Sequence, residues 1–180
     1  QHVAVGRLVG ITDEELDALG RDAVDGPPFA EDERVMLALV TVICARHPDG
    51  RFVGFTANSF NSVSLDPPLV LWSLSRRSAS LPAFEGSERY SVNVLASDQA
   101  ELARRFSRPH ADRFAGVPYR LGWADAPLIE GCVAWLECSH HARHRAGDHV
   151  VFIGDVHDCA RGHGRGLVFH EHRYATTAPL

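Results

Sequence analysis

The sequence predicts a mainly β fold, an antiparallel barrel with two or three short helices whose outer wall is covered as well as its interior. Three observations predict it. Short segments rich in Val, Ile, Phe and Leu recur between turn signals, as in Leu39–Ala45, Arg51–Thr56 and Leu69–Ser75. Two later segments, Cys132–His141 and His149–Val156, are largely apolar on both faces, as strands are when each face is covered by helices or a second subunit. Helical periodicity is confined to brief stretches bounded by Pro, Ser or Asp.

The chain opens on an apolar stretch, Val3–Ile11, followed by Thr12-Asp13-Glu14-Glu15. Thr12 with Glu15 three residues on is a capping box, and the helix it starts should end near Gly20. Asp25-Gly26-Pro27-Pro28 is a turn or linker, which divides residues 1–30, an N-terminal extension with a short helix, from a domain over residues 31–180. The extension packs on the barrel or on a partner subunit; disorder is the competing reading. Glu31–Leu39 has helical potential, with Val35, Met36 and Leu39 on one side, before strand character takes over at Leu39.

His47-Pro48-Asp49-Gly50 turns the chain back into Arg51–Thr56. Thr56, Asn58, Ser59, Ser62 and Ser64 then set hydroxyl and amide groups between two apolar strands, and Pro67-Pro68 marks the entry to the second. Arg76, Arg77, Ser78 and Ser80 follow, just before a helix over Leu81–Gly86 with Pro82 in its first turn. This run reads as an anion-binding site. The arginines supply charge-assisted donors, Ser78 or Ser80 can cap the helix, and helix N-terminal amides attract phosphate. The competing reading of the same composition is a plain polar loop. Further on, Tyr90–Leu95 is a strand, and Ser97 or Asp98 caps a helix to about Phe106 with Leu102 and Phe106 inward. Val117–Trp123 and Pro127–Ile129 lead into the two long strands.

Composition sets limits. The 180 residues fit one domain, and 18 basic against 23 acidic residues, interspersed, give a net charge of −5 with no basic footprint for nucleic acid. No apolar run reaches the roughly 20 residues of a membrane span, no basic-then-apolar leader opens the chain, and a cytoplasmic protein is expected. Gln1 in place of an initiator Met suggests a trimmed start. Cys44, Cys132, Cys138 and Cys159 show no metal-type spacing, and free buried thiols are expected over a cross-strand pairing. Of the 11 histidines, His140, His141, His144 and His149 crowd together. On a regular strand His140 and His144 share a face but stand about 13 Å apart, too far to share an ion, so no metal site is expected.

Several spaced segments in order, TANSFNSVSLDPPLVL, RYSVNVLASDQAELARRFS, DRFAGV, AGDHVVFIGDV and HEHRY, resemble the flavin reductase family over Val40–Tyr174. These are reductase partners of two-component flavin monooxygenases with an FMN-binding split-barrel fold. The Thr-Gly turn that such proteins usually carry before the first strand is absent, and ERVMLALVTVICA runs straight through. The resemblance implies an antiparallel Greek-key split β-barrel and hydride transfer from NADH or NADPH to a loosely held FMN or FAD that leaves for a separate monooxygenase, and the number of strands apolar on both faces suggests a homodimer. It implies flavin contacts from Thr56, Ala57, Asn58, Ser59, Phe60, Ser62 and Val63, and phosphate-side contacts from Arg77, Ser78 and Ser80. Phe106 and Ser107 of the second helix join them, while Gly147, Asp148, His149 and Tyr174 are implied on the nicotinamide side. No residue need act as acid, base or nucleophile, since the cofactors carry the organic chemistry. Two alternatives share these motifs: a split-barrel flavoprotein that reduces a corrinoid or ferric acceptor, and a flavin or haem carrier without activity.

Overall fold

Residues 58–60 join the two edges of a single sheet, and that link dictates the architecture. A computed structural model describes residues 38–109, 112–170 and 172–176; the expected extension over 1–30, with its Thr12 helix, lies outside them. In chain order the elements are β1 (Ala38–Leu39), β2 (Thr41–Arg46), β3 (Phe52–Ala57), β4 (Asn61–Leu65), β5 (Pro68–Ser75), α1 (Leu81–Gly86), β6 (Arg89–Val94), α2 (Ala100–Ser107), β7 (Tyr119–Leu121), β8 (Pro127–Ile129), β9 (Ala134–Ala146), β10 (His149–Arg161), β11 (Leu167–His170) and β12 (Arg173–Thr176). Seven of them form one sheet in the order β3-β2-β6-β9-β10-β5-β4. Its outermost strands, β3 and β4, are consecutive in sequence. From Ala57 to Asn61 the chain spans at most about 15 Å, so the sheet has to curl until its edges meet. Ser59 completes the seam: its Oγ accepts from the Ser73 N–H (3.0 Å) and donates to the Ser73 carbonyl (3.3 Å) on β5. The expected antiparallel split barrel is the fold observed, all pairs being antiparallel.

The interior is aromatic. Trp72 of β5 stacks on Phe152 of β10 at 4.1 Å between centroids and meets Tyr90, Phe84 and Phe55 edge-on or tilted at 5.1–5.5 Å. Ile43, Val70, Val92, Leu136 and Val150 complete this core. A second core lies outside the barrel wall. On β2, Ile43 and Ala45 face the interior while Val42 and Cys44 face outward against Ala103 and Phe106 of α2 with Ile129 of β8, so both faces are buried. Gly54 lets α2 approach: a Cβ there would lie 2.8 Å from the Phe106 ring. Asn93 ties this layer to the sheet, its Nδ2 donating to the Val42 (3.0 Å) and Pro127 (3.2 Å) carbonyls and its Oδ1 accepting from the Ile129 N–H (2.7 Å).

Several expectations change. Within Glu31–Leu39, the residues described are strand rather than helix: Ala38 and Leu39 pair with Phe169 and Val168 of β11, and ladder bonding overrides weak helical periodicity. The second helix is capped by neither Ser97 nor Asp98. Gln99 holds that position, its side chain accepting from the Ala96 N–H (3.0 Å) and donating to the Glu130 carbonyl (2.8 Å). Ala103 and Phe106 form the buried face of α2, and Leu102 is only half buried. Ser80 does stand at the start of α1 but makes no capping bond with its side chain.

The histidine cluster changes most. A bulge interrupts the β9–β10 ladder at His141, with Ala142 opposite Ile153 and His140 opposite Gly154. The extra residue inverts the alternation, so His140 turns inward against Tyr90 (4.9 Å) and Phe152 (5.4 Å), while His144 is exposed. They do not share a face. The His140 ring lies beside the Phe84 backbone, and burial, with Arg143 nearby, pushes its pKa down to about 4. All four cysteines are free, and burial pushes the thiols of Cys44, Cys132 and Cys138 up, Cys132 to about 12.

Candidate functional site

Alternation along β5 makes the site. Val70, Trp72 and Leu74 point into the barrel, and Leu69, Leu71, Ser73 and Ser75 form a half-buried outer row. Across the ladder Leu71 is level with Ile153, Ser73 with Val151 and Ser75 with His149, giving an aliphatic outer floor that becomes polar toward Ser75. Asn61 of β4 stands opposite Leu71 on the other side, so β4, β5 and β10 share this face. Ser59 is fixed beside it by its two bonds to Ser73.

At the polar end, two segments far apart in sequence meet. β9 and β10 are joined by the two-residue loop Gly147-Asp148, where Gly147 has φ 59°, a conformation costly for any residue with a Cβ. The Arg76 N–H donates to the Asp148 carbonyl (2.8 Å), which seats the loop against the chain leaving β5. Asp148 Oδ1 lies 2.8 Å from His149 Nδ1, and this bond with the imidazole, helped by Arg77, holds the carboxyl below its usual range. The pairing directs Nδ1 of His149 to the carboxylate. Arg77 is exposed, and its backbone N–H donates to Ser75 Oγ (3.3 Å). Ser78 Oγ accepts from the Ser80 N–H (3.2 Å), which holds the short turn between β5 and α1.

The implied flavin residues divide into groups. Asn58, Ser59, Ser62 and Val63 lie at or beside the β4 edge, with Val63 at a bulge and 46% exposed. Thr56 and Ala57 belong to the wall: Thr56 Oγ1 donates to the Ala103 carbonyl of α2 (2.6 Å), and Ala57 is 4% exposed against the inner core, where Phe60 also packs. Phe106 is buried in the outer core, and Ser107 Oγ donates to the Arg104 carbonyl of its own helix (2.8 Å). Tyr174 lies in the separate three-stranded sheet β1-β11-β12, packed against Phe169 (5.5 Å) beneath the Arg104 guanidinium (5.2 Å). Arg77, Ser78, Gly147, Asp148 and His149 are therefore brought to one rim, while Phe106, Ser107 and Tyr174 lie on the α2 side. A concavity of about 370 Å³ beside α2, lined by Asp98, Glu101, Leu102 and Arg105 among others, includes none of these residues.

Arg113, in the segment DRFAGV, is not among the residues the sequence singles out, yet it links two elements of the site region. Its Nη1 donates to the Gly54 carbonyl (2.7 Å) and to Ser80 Oγ (3.4 Å), and its Nε to the Arg108 carbonyl (3.1 Å). It thus bridges β3, two residues before Thr56, to the start of α1. The signal was available as a basic residue inside a segment already set apart by its resemblance.

Residues 34–178 match the flavin reductase like domain family. A flavin reductase of Pseudomonas putida is 38% identical over 142 residues, 78% of this chain and 84% of that protein. A probable flavin reductase of Rhizobium meliloti is 45% identical over 117 residues, 65% of this chain but only 38% of that longer protein. Among solved structures, the NADH:FAD oxidoreductase of Streptomyces globisporus in complex with NAD and FAD fragments superposes with a TM-score of 0.75 at 33% identity, covering 93% of this chain and 96% of that one. With the fold, the seam segment and the rim in place, the chain belongs to the flavin reductase-like domain family.

Proposed function

We propose that this chain is an NAD(P)H:flavin oxidoreductase that reduces FMN or FAD for release to a separate flavin-dependent monooxygenase. The observation that carries the proposal is the rim itself, where the segment closing the barrel seam, the Arg77-Ser78 turn and the Gly147-Asp148-His149 hairpin converge along one face of β4–β5–β10. The donor set fits a flavin nucleotide: hydroxyl and amide groups near Ser59 for a polar ring edge, aliphatic side chains for an apolar ring, and Arg77 with Ser78 for a phosphate.

A flavin and a nicotinamide held at this rim would supply the hydride chemistry between them. The protein's part is placement. Leu71, Val151 and Ile153 keep water from one side of the site, and Ser59 is held rigid by both of its bonds to Ser73. Asp148 orients His149, leaving Nε2 and the ring face for the nicotinamide carboxamide. Few groups grip the nucleotide, as suits a flavin that must leave.

A homodimer belongs to the same proposal. The outer row of Leu69, Leu71, Val151 and Ile153 is half buried in one chain, and Val63 and Leu65 on the edge strand are 46% and 54% exposed. A second copy covering this face would enclose the site. So do the division into an extension over residues 1–30 and a barrel domain from residue 31, and a cytoplasmic setting, where NADH and reduced thiols coexist. No described helix is long and apolar enough to cross a membrane.

The test is NADH and NADPH oxidation with FMN, FAD or no flavin added. Flavin-dependent oxidation is expected, with light scattering showing a dimer at micromolar concentration; no flavin-dependent oxidation with either nucleotide would refute the reading.

A further inference from the structure

The outer face around His149 extends past β10 onto β9, on the side away from β5. The ladder sets that extension row by row, with Ala146 opposite His149, His144 opposite Val151 and Ala142 opposite Ile153. Directly opposed residues of antiparallel strands point the same way, so Ala142, His144 and Ala146 share the face that carries His149, Val151 and Ile153. β6 pairs with β9 no farther than Ser139, and no strand borders this row on its other side. Two methyl groups thus flank a single imidazole. The other histidines of β9 and β10 are engaged: His140 against Tyr90, His141 with Asp155 (3.2 Å), His149 with Asp148 (2.8 Å) and His157 with Ser139 (2.8 Å). His144 is exposed, and among the described residues it makes no hydrogen bond, ion pair or ring contact. Its ring nitrogens are available to a ligand.

We propose that His144 binds the diphosphate of the nicotinamide dinucleotide, donating a ring N–H to a phosphate oxygen while Ala142 and Ala146 leave room beside it. The inference rests on the hydride-donor reading above. His144 and His149 are diagonal neighbours on paired strands, roughly 7–8 Å apart. The carboxamide assigned to His149 is joined to the diphosphate through one ribose, so a dinucleotide that runs from His149 over β9 brings its diphosphate past His144. The opposite direction leads over Ser75 and Ser73 to the segments assigned to the flavin. The face is thereby divided, flavin over β4 and β5 and hydride donor over β9 and β10. An imidazole has an N–H to donate whether neutral or charged, so the contact does not depend on its protonation. Because NADH and NADPH share the diphosphate, His144 serves both alike.

Dihydronicotinamide riboside, which keeps the reacting ring, carboxamide and ribose but has no phosphate, makes the test. Binding of NADH and of the riboside to the full chain without flavin is followed by the fluorescence of each compound, and kcat/KM for both is measured at saturating flavin. The proteins are wild type, His144→Ala and His144→Gln. The expected result is that His144→Ala weakens NADH binding and lowers kcat/KM for NADH by about 5- to 20-fold, and leaves the riboside within about twofold. His144→Gln, which keeps an N–H donor, should recover part of the NADH loss. If His144 only supports the hairpin or meets a second copy of the chain, NADH and the riboside weaken together, with a lower urea midpoint or a loss of dimer by light scattering; that outcome, or unchanged NADH values, overturns the proposal. Should His144→Ala fail to fold, the NADH-to-riboside ratio in His144→Phe, a ring without a donor, decides: a lowered ratio supports the contact and an unchanged ratio refutes it. A wild-type chain that neither binds nor oxidises either compound would sink the hydride-donor reading itself, a result distinct from loss of the His144 contact.

Discussion

β5 serves two regions of the molecule at once, and the contrast between its two faces separates a packed wall from the face proposed to carry the chemistry. Inward, Val70 and Trp72 are 0% exposed in an aromatic core fixed by ring contacts on several sides. Outward, the same strand shows Leu71, Ser73 and Ser75, half buried and next to side chains with few fixed partners. Period-2 alternation puts a rigid wall directly behind an open face. Substitutions on the two faces should therefore act on different measurements.

The largest effect belongs to the wall. Trp72→Ala removes the centre of the aromatic cluster and should cost about 3–5 kcal/mol of stability, read as a lower urea midpoint. A loss under about 1 kcal/mol would show that the cluster is not what holds the barrel. On the rim the pattern reverses. Arg77→Ala should weaken flavin binding by about 1.5–3 kcal/mol, the scale of a charge-assisted bond, with stability changed by less than about 0.5 kcal/mol. Arg76→Ala should matter less for flavin, since its guanidinium is turned to the Gly147 carbonyl (3.5 Å) and its backbone bond to Asp148 survives the substitution. Equal flavin affinity in wild type and Arg77→Ala would place both arginines in solvent.

A smaller effect sharpens the contrast through pH. His140 faces the wall's interior with a pKa near 4, below the ordinary value of 6.5, so between these values the unfolded chain binds more protons than the folded one. Stability tied to this residue is intact above about 6.5 and is lost as the pH falls toward about 4. Urea midpoints at pH 7, 6, 5 and 4.5 should decline, and His140→Phe should flatten the decline. Identical slopes in the two proteins would remove His140 as the cause.

Sequence carried the strands well where period 2 ran unbroken. The β5 and β10 segments were legible because alternation and β-branched content act locally. What failed depended on distant partners. Gln99 displaced Ser97 and Asp98 at the helix start because Glu130 lies within its reach, and the His141 bulge shows itself only against the opposing strand. For the site, the order of the motifs indicated which segments would meet, yet not that Thr56 is tied to α2 or that Arg113 joins β3 to α1. Those are three-dimensional facts with no local signature.

If the rim carries the proposed chemistry while the wall holds the fold, His149→Ala should separate the two. His149 sits on the outer face opposite Ser75, oriented by Asp148 and outside the aromatic core. The measurement is kcat/KM for NADH at saturating flavin, alongside the urea midpoint and the flavin dissociation constant. A roughly 5- to 30-fold loss in kcat/KM is expected, equivalent to about 1–2 kcal/mol, with the other two values unchanged. An unaltered kcat/KM in the folded variant, or a loss confined to flavin binding, would contradict it.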